Sequence, residues 1–361
     1  MIDVKKIAKY YNNCAFTVIK EIDSSRDEND KRYTYLIKFD DGQELAVKAC
    51  RNNFTTPERV SGWKKTCKHY LDLGIYCPQI VSSINGSDSE VAIFDGEVFI
   101  IYAEEIKKYK TMEEMDELGL KTAPDIKDKL LESIGLIASL KQELVPWYSP
   151  YCVFVKFSED DVTDENYENA EFFCDTVREK YPQYTEYINK IWDKYIENRT
   201  RFEPVYYNLP KAVIQGDLNG TNVLVNDDGE FVGLIDFNLS GTESVLCYII
   251  LPIEGCLYNL QCEDLEYLTD KDFLKKCDDV FYNNLKKINK YYNFSEYEKE
   301  YFNLCYNTII PFCCLMISGM LKWVIREKKD ENIENIEKML DWVYYQLTRD
   351  DIRLEKIVII A

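Results

Sequence analysis

The 361-residue chain is longer than one average domain, contains 46% hydrophobic and 30% charged residues, and carries a formal net charge of −20 at pH 7. This composition predicts a globular protein of two packed units and excludes a disordered chain. The acidity excludes nucleic acid as a partner, because a polyanion requires a basic face. It would attract cations, although a simple role in solubility accounts for it as well.

The numbers and spacing of cysteine and histidine, and the lengths of the apolar segments, exclude proteins with disulfide frameworks, histidine-based sites or membrane spans. The thirteen cysteines show no paired Cys-x-x-Cys spacing and predict reduced thiols, and the single histidine excludes triads and multi-histidine metal sites. The N-terminus lacks the apolar core of a signal peptide, so we expect a cytoplasmic protein. Residues 308–321 are apolar but contain Pro311 and are shorter than the roughly 20 residues of a membrane span, which predicts a buried helix and no membrane partner.

The first hundred residues are predicted to be mostly β-strand. Strand-like runs separated by turn residues occur at 15–22, 32–39, 43–50, 78–84, 89–94 and 97–106. An Asp-Gly turn joins the second run to the third and favours a hairpin there. Residues 57–73 are the exception, because after a proline the apolar residues recur at helical spacing, at Val60, Trp63, Cys67 and Tyr70.

From residue 107 the apolar spacing becomes helical. Helical tracts are predicted at 125–144, 165–198, 243–260, 270–289, 295–325 and 331–347. The exception is 222–237, where "NVLVN", the turn "DDGE" and "FVGLIDF" predict a short hairpin. The chain is therefore predicted to be an α+β protein with two lobes. Residues 1–106 would form an antiparallel sheet with one helix, and residues 107–361 a larger helical lobe.

Polar residues flank the predicted hairpin. Asp217 and Asn222 precede its first strand, and Asp236 follows its second. Because a hairpin returns the chain to where it began, we expect Asp236 to lie beside Asn222. Their oxygens are ligands that Mg²⁺ prefers, and Asp217 would remain free to accept a proton from a substrate hydroxyl, as in phosphoryl transfer. The alternative is that all three are ordinary loop and cap residues.

The motif "QGDLNGTN…LIDF" resembles the aminoglycoside phosphotransferase and choline kinase superfamily, whose pattern is His-Gly-Asp, four residues, Asn, and then Ile-Asp-Phe. The order of the lobes is similar over nearly the whole chain, whereas the motif match is confined to 214–241. The resemblance implies a two-lobed protein-kinase-like fold. It also implies that Asp217 is the catalytic base and that Asn222 and Asp236 are the Mg²⁺ ligands.

The same resemblance implies a site for ATP or GTP in the N-terminal lobe. The strand "LAVKAC" is similar to the one that carries the phosphate-binding lysine, here Lys48, and Glu58 on the next helix is its expected partner. The strand "VFIIYAEEI" is similar to the one that leads into the hinge, where the backbone of Ala103, Glu104 and Glu105 would bind the base. The loop 23–31 has no glycine, and Ser24 and Ser25 would contact phosphate instead.

Two residues depart from the family pattern. Gln215 replaces the histidine of the motif, and an amide can donate and accept hydrogen bonds as a neutral imidazole does. Asn238 replaces the glycine that follows Asp-Phe in protein kinases, so a switch of that kind is not expected here.

We therefore interpret the chain as a kinase that phosphorylates a hydroxyl of a small molecule, acting as a monomer or homodimer. The acidic run 158–171 favours a cationic acceptor such as an aminoglycoside, which would indicate antibiotic resistance. The alternatives are a kinase of choline or ethanolamine, homoserine or a sugar, and a catalytically silent binding protein, for which Gln215 is the clue.

Overall fold

The computed structural model describes residues 2–250, 269–325 and 330–357, and the chain divides into two compact units. The first unit consists of Met1–Lys127, Ser158–Asp160 and Val213–Gly241, and the second of Asp128–Phe157, Asp161–Ala212 and Thr242–Ala361. The first unit therefore continues beyond residue 106 and contains the hairpin region, which the sequence analysis placed in the C-terminal lobe.

The first unit is built on an antiparallel sheet, as predicted. Its strands are β1 (Phe16–Asp23), β2 (Lys31–Phe39), β3 (Glu44–Arg51), β4 (Ile80–Val81), β5 (Glu90–Phe94) and β6 (Glu97–Glu105). The spatial order is β1-β2-β3-β6-β4, and β5 also pairs with β6. The predicted strand at 78–84 is reduced to two residues, because the Ser83 N–H bonds the Ser87 carbonyl at 2.7 Å and turns the chain.

Two helices accompany this sheet, α1 (Val4–Ala8) and the predicted α2 (Pro57–Asp72). Apolar side chains of α1 and of the strands form one buried cluster, which includes Ile7, Ile37, Val47, Phe99 and Ile101. Thr56 caps α2 by accepting a hydrogen bond from the Arg59 N–H, and a proline occupies the first turn, where no backbone donor is needed. The start of α2 is thus determined by neighbouring residues in the sequence, the Thr56 cap and the proline that follows it.

The predicted hairpin is present, with β9 (Val223–Val225) antiparallel to β10 (Phe231–Leu234). A short strand that the sequence did not indicate, β7 (Lys110–Thr111), adds to β9 and leads into α3 (Met112–Glu117). On the other side, Tyr76 lies parallel to Gly233, with its N–H bonded to the Val232 carbonyl at 2.9 Å. These backbone bonds tie the hairpin to the first unit. The strands β8 (Lys211–Ile214) and β11 (Gly241–Ser244) flank it in sequence.

Most of the remaining secondary structure is helical, as expected, although residues 140–164 contain no helix. The helices are α4 (Ile126–Ser139), α5 (Glu165–Lys180), α6 (Thr185–Asn208), α7 (Lys271–Asn289), α8 (Glu296–Ile309), α9 (Cys314–Ile325) and α10 (Asp330–Thr348). Residues 245–250 are also helical, residues 243–244 of the predicted tract 243–260 belong to β11, and residues 251–260 lie outside the described residues.

Two predicted helices were wrong in length because proline interrupts them. The tract 165–198 is divided at Pro182, and the tract 295–325 is divided at Pro311, each within a short 3₁₀ turn. Proline lacks the N–H that would continue the helix. The apolar stretch around Pro311 is buried, including Ile310, Phe312 and Cys313. Among the described residues, no helix is both long and apolar enough to cross a membrane.

Candidate active site

The catalytic-loop candidate Asp217 lies three residues after β8. Its Oδ1 accepts a hydrogen bond from Asn219 Nδ2 at 2.7 Å, and its Oδ2 accepts one from Asn222 Nδ2 at 2.9 Å. Burial raises the pKa of Asp217 above its ordinary value, the bond from Asn219 opposes that rise, and the charge of Asp236 adds to it. Two amide donors therefore fix the orientation of a carboxylate whose affinity for a proton is increased.

The hairpin brings Asn222 and Asp236 together, as the sequence predicted. Leu234 pairs with Val223, and the Ile235 N–H bonds the Asn222 carbonyl at 3.0 Å. Asp236 then adopts a left-handed backbone with φ of 59°, a conformation that is uncommon outside glycine and often found at functional sites.

The donor atoms of this pair fit a hard cation. The Nδ2 of Asn222 donates to Asp217, its Oδ1 accepts a long hydrogen bond of 3.3 Å from Thr221 Oγ1 and keeps a further lone pair for a cation, and Asp236 contributes a half-exposed carboxylate. Mg²⁺ commonly takes one or two protein oxygens and completes its shell with water and phosphate. In the described part of the chain, no group of three or more His, Cys, Asp or Glu side chains is placed to hold a metal. The candidate is therefore this pair of ligands.

Lys48 meets a different partner from the one expected. Its Nζ lies 2.9 Å from Glu104 Oε2 and 3.7 Å from Asp236 Oδ1. Glu58, the expected partner, is exposed in the first turn of α2. Burial alone would lower the pKa of Lys48, but the carboxylates of Glu104 and Asp236 and the nearby Tyr102 outweigh it and hold that pKa well above its ordinary value. The ammonium is therefore charged.

The expected hinge contacts of Ala103, Glu104 and Glu105 are not free in this structure. Their strand, β6, pairs with β3 on one side and with β4 on the other, and the Glu105 N–H bonds the Gln79 carbonyl at 3.0 Å. These backbone groups pair within the sheet, so in this structure they are not available to a nucleotide base. The chain leaves the sheet at residues 106–109.

Ser24 and Ser25 lie in the exposed loop between β1 and β2, as expected. Ser25 Oγ accepts the Arg32 N–H at 3.0 Å, and the Ser24 N–H bonds the Arg32 carbonyl at 2.9 Å. Both serines therefore help to close the loop. Arg26 in the same loop was not predicted as a site residue, and its positive charge acts to lower the pKa of Asp217. An arginine in the loop 23–31, which was already expected to contact phosphate, could have been recognised from the sequence as a candidate site residue.

Gln215, the departure from the family histidine, is fully buried and makes hydrogen bonds at both ends of its side chain. Nε2 donates to the carbonyls of Ile235 and Asp236 at 2.9 and 2.8 Å, and Oε1 accepts the Asp217 N–H at 2.6 Å. The amide therefore joins the segment that carries Asp217 to the segment that carries Asp236.

One acid of the run 158–171 is neutralised inside the protein. Asp164 is buried and forms a two-bond ion pair with Arg199, and its carboxylate also caps α5 through the Tyr167 N–H. In the same unit, Asp161, Glu165 and Glu168 line a cavity of about 190 Å³ beside Asp164. Arg199 thus neutralises one acid of this segment, and three other acids of the segment lie together at the cavity.

Comparison with known proteins identifies the family. A profile of the APH phosphotransferase enzyme family matches residues 26–247. The chain belongs to this family. It is accordingly a phosphotransferase that acts on the hydroxyl group of a small molecule. No curated protein is detectably similar to it in sequence.

Solved structures are similar to the chain over nearly its whole length. Amicoumacin kinase hAmiN, determined with AMP-PNP, Ca²⁺ and Ami, is 15% identical with a TM-score of 0.50, covering 99% of this chain and 98% of that one. A microcompartment-associated aminopropanol kinase is 13% identical with a TM-score of 0.47, covering 97% and 98%. An aminoglycoside phosphotransferase from Alicyclobacillus acidocaldarius is 11% identical with a TM-score of 0.43, covering 96% and 97%. The family match, the antiparallel sheet with its following helices, and the similarity to hAmiN confirm the predicted α+β, protein-kinase-like fold.

Proposed function

We propose that this phosphotransferase is a Mg²⁺-dependent kinase that transfers the γ-phosphoryl group of ATP or GTP to a hydroxyl of a cationic small molecule. The supporting observation is the 2.9 Å hydrogen bond between Asn222 Nδ2 and Asp217 Oδ2. It joins the candidate base to one candidate metal ligand, while the hairpin supplies the other, Asp236.

In the proposed reaction, Asp217 orients the acceptor hydroxyl and takes its proton. The hydroxyl oxygen forms a bond to the γ-phosphorus as the bond from that phosphorus to the β–γ bridging oxygen breaks, which releases the nucleoside diphosphate. Lys48 neutralises phosphate charge from one side. Asn222 and Asp236 would hold Mg²⁺, which supplies positive charge to the phosphate oxygens when bound.

The cationic acceptor is supported by the acids around the cavity near Asp164. Asp161, Glu165 and Glu168 line this cavity together with Asp164, and its described lining includes no lysine or arginine, so the field inside it is negative. Such a field favours a positively charged ligand. An aminoglycoside or an amino alcohol such as choline or ethanolamine fits this charge better than a sugar, and homoserine, with both charges, is intermediate.

The function is tested by a panel of aminoglycosides, amino alcohols, homoserine and sugars, with ADP or GDP release measured by a coupled assay. Asp217→Asn serves as the background. We expect release above that background with a cationic member, and an acceptor KM that rises with salt, because screening shortens the field to about 8 Å at physiological ionic strength. A neutral or anionic acceptor with a salt-independent KM would contradict the proposed acceptor class and leave the transfer reaction standing.

A further inference from the structure

A lysine lies between two carboxylates at the proposed nucleotide site. Lys48 Nζ is 2.9 Å from Glu104 Oε2 and 3.7 Å from Asp236 Oδ1, and the ring of Tyr102 lies beneath the ammonium at 5.5 Å. The side chains of Lys48 and Glu104 are each 16% exposed, whereas that of Asp236 is 38% exposed. The shorter and more buried contact is therefore with Glu104.

Strand register explains why Glu104 reaches this lysine. In the antiparallel pair of β3 and β6, Lys48 is opposite Tyr102 and Ala46 is opposite Glu104. Residues two positions apart on a strand point to the same face, so Lys48 and Glu104 are diagonal neighbours within reach of long side chains. The acid is thus carried by the sheet, and its position does not depend on a movement of α2.

One ammonium shared by two carboxylates has a consequence for Asp236. If Glu104 did not hold Lys48, the remaining partner within ion-pair distance among the described residues would be Asp236. The lysine would then cover the carboxylate proposed to bind the metal. Leaving a buried ammonium without a charged partner is strongly unfavourable in free energy. Lys48 would therefore move toward the remaining carboxylate, that of Asp236.

We propose that Glu104 is the positioning residue for Lys48 and that it keeps Asp236 available to the metal–nucleotide complex. This rests on the proposed function, since it takes Lys48 and Asp236 as nucleotide and metal groups. Glu104 acts through Lys48 and has no contact with the acceptor in this account. The role belongs to the β6 strand rather than to Glu58 on α2.

The test measures binding without an acceptor. Thermal shifts are recorded at a fixed concentration of ADP or GDP while Mg²⁺ is titrated, for the wild type, Glu104→Gln and Glu58→Gln. Glu44→Gln, an exposed acid on the same strand as Lys48, is the matched control. We expect the half-saturating Mg²⁺ concentration to rise about tenfold or more in Glu104→Gln, because its loss leaves Lys48 on Asp236, and to stay within about twofold in both other variants.

The conservative variant separates positioning from folding. Glu104→Asp keeps the carboxylate on a shorter arm, so we expect a smaller rise in the Mg²⁺ requirement than in Glu104→Gln. If Glu104→Gln does not fold, Glu104→Asp carries the comparison against Glu58→Gln and Glu44→Gln. A Mg²⁺ requirement equal to wild type in the folded Glu104 variant, or an equal rise in Glu58→Gln, would overturn the inference.

Lys48→Met distinguishes this failure from a failure of the proposed function. Weak Mg²⁺–nucleotide binding in Lys48→Met together with normal binding in Glu104→Gln rejects only the role of Glu104. Wild-type binding in Lys48→Met rejects the nucleotide site on which both rest.

Discussion

Gln215 Nε2 donates a hydrogen bond to the main-chain carbonyl of Asp236 at 2.8 Å. With its second bond to Ile235 and the Asp217 N–H that its Oε1 accepts, this fully buried side chain fastens the segments of the proposed base and metal ligand to each other. A residue that departs from the family motif therefore makes bonds that an imidazole with one donor and one acceptor nitrogen makes only in part.

Replacing this amide should loosen both segments. Gln215→Met keeps the length of the side chain but leaves buried backbone groups without partners, which costs about 1–3 kcal/mol for each group. We expect a lower free energy of unfolding in urea and weaker Mg²⁺–nucleotide binding. Gln215→His should retain more of both, because the imidazole can donate and accept. Equal stability and affinity in Gln215→Met and the wild type would show that the bonds carry no function.

The two proposed metal ligands should contribute unequally to Mg²⁺-dependent nucleotide binding. Asp236→Ala should abolish the Mg²⁺-dependent part of nucleotide stabilisation, because it removes the only ionised member of the pair. Asn222→Ala should weaken it less, since water can replace an amide oxygen. Asp228→Ala, at the exposed tip of the hairpin, is the control. Isothermal titration with Mg²⁺–ADP ranks the variants, and wild-type binding in Asp236→Ala would refute the site.

A close backbone approach makes Gly233 intolerant of a side chain. A Cβ at this position would lie 2.0 Å from the Tyr76 carbonyl oxygen, whereas a Cβ at Gly220 meets no atom closer than 4.0 Å. The Leu234 N–H bonds the same Tyr76 carbonyl at 2.9 Å, so the strand cannot move aside without losing it. We expect Gly233→Ala to lower the free energy of unfolding by about 2 kcal/mol or more and Gly220→Ala to change it little. Equal urea midpoints for the two variants would contradict this packing.

Contacts between residues close together in the chain could be predicted from the sequence, whereas contacts between distant segments could not. The spacing of Asp217, Asn222 and Asp236 around a hairpin is local, so their proximity was predictable. The partner of Lys48 was not, because it depends on the register between β3 and β6, which are far apart in the chain. The helix breaks at Pro182 and Pro311 could have been predicted from the prolines themselves. They were not, because the helical spacing of apolar residues continues on both sides of each proline.

The buried charge of Asp164 illustrates the same limit. The sequence shows it only as one acid of the run 158–171, whereas in the structure Arg199 on α6 pairs with it, and no local pattern indicates a contact between such distant residues. The strand β7 has only two residues, which is too short for a period to show.

A buried acid outside the proposed site should make stability depend on pH. Burial raises the pKa of Glu243 from 4.5 to about 7, although Ser149, Tyr206 and the Ser244 N–H bond its carboxylate and Lys211 lies near enough to oppose the rise. Because the folded state holds this proton more tightly than the unfolded state, the stabilisation is complete below the unfolded pKa and is lost as pH rises through about 7.

Glu243→Gln removes this titration. We expect the variant to be more stable than the wild type at pH 8, by roughly 3 kcal/mol at most, and the difference to shrink toward pH 5. Urea unfolding at both pH values measures it, with Glu186→Gln, an exposed acid on α6, as the control. A wild-type protein whose stability is flat between these pH values would show that Glu243 is not held protonated.

Asp217→Asn removes the carboxylate that we propose as the base for transfer to a hydroxyl. With an acceptor from the panel, transfer is followed by mass spectrometry of the acceptor, and the nucleotide Kd is measured on the same preparation. If Asp217 is the base, kcat falls by several orders of magnitude and the nucleotide Kd stays close to that of the wild type, because Asp217 contacts the acceptor rather than the nucleotide. Near-wild-type transfer by Asp217→Asn would contradict this role.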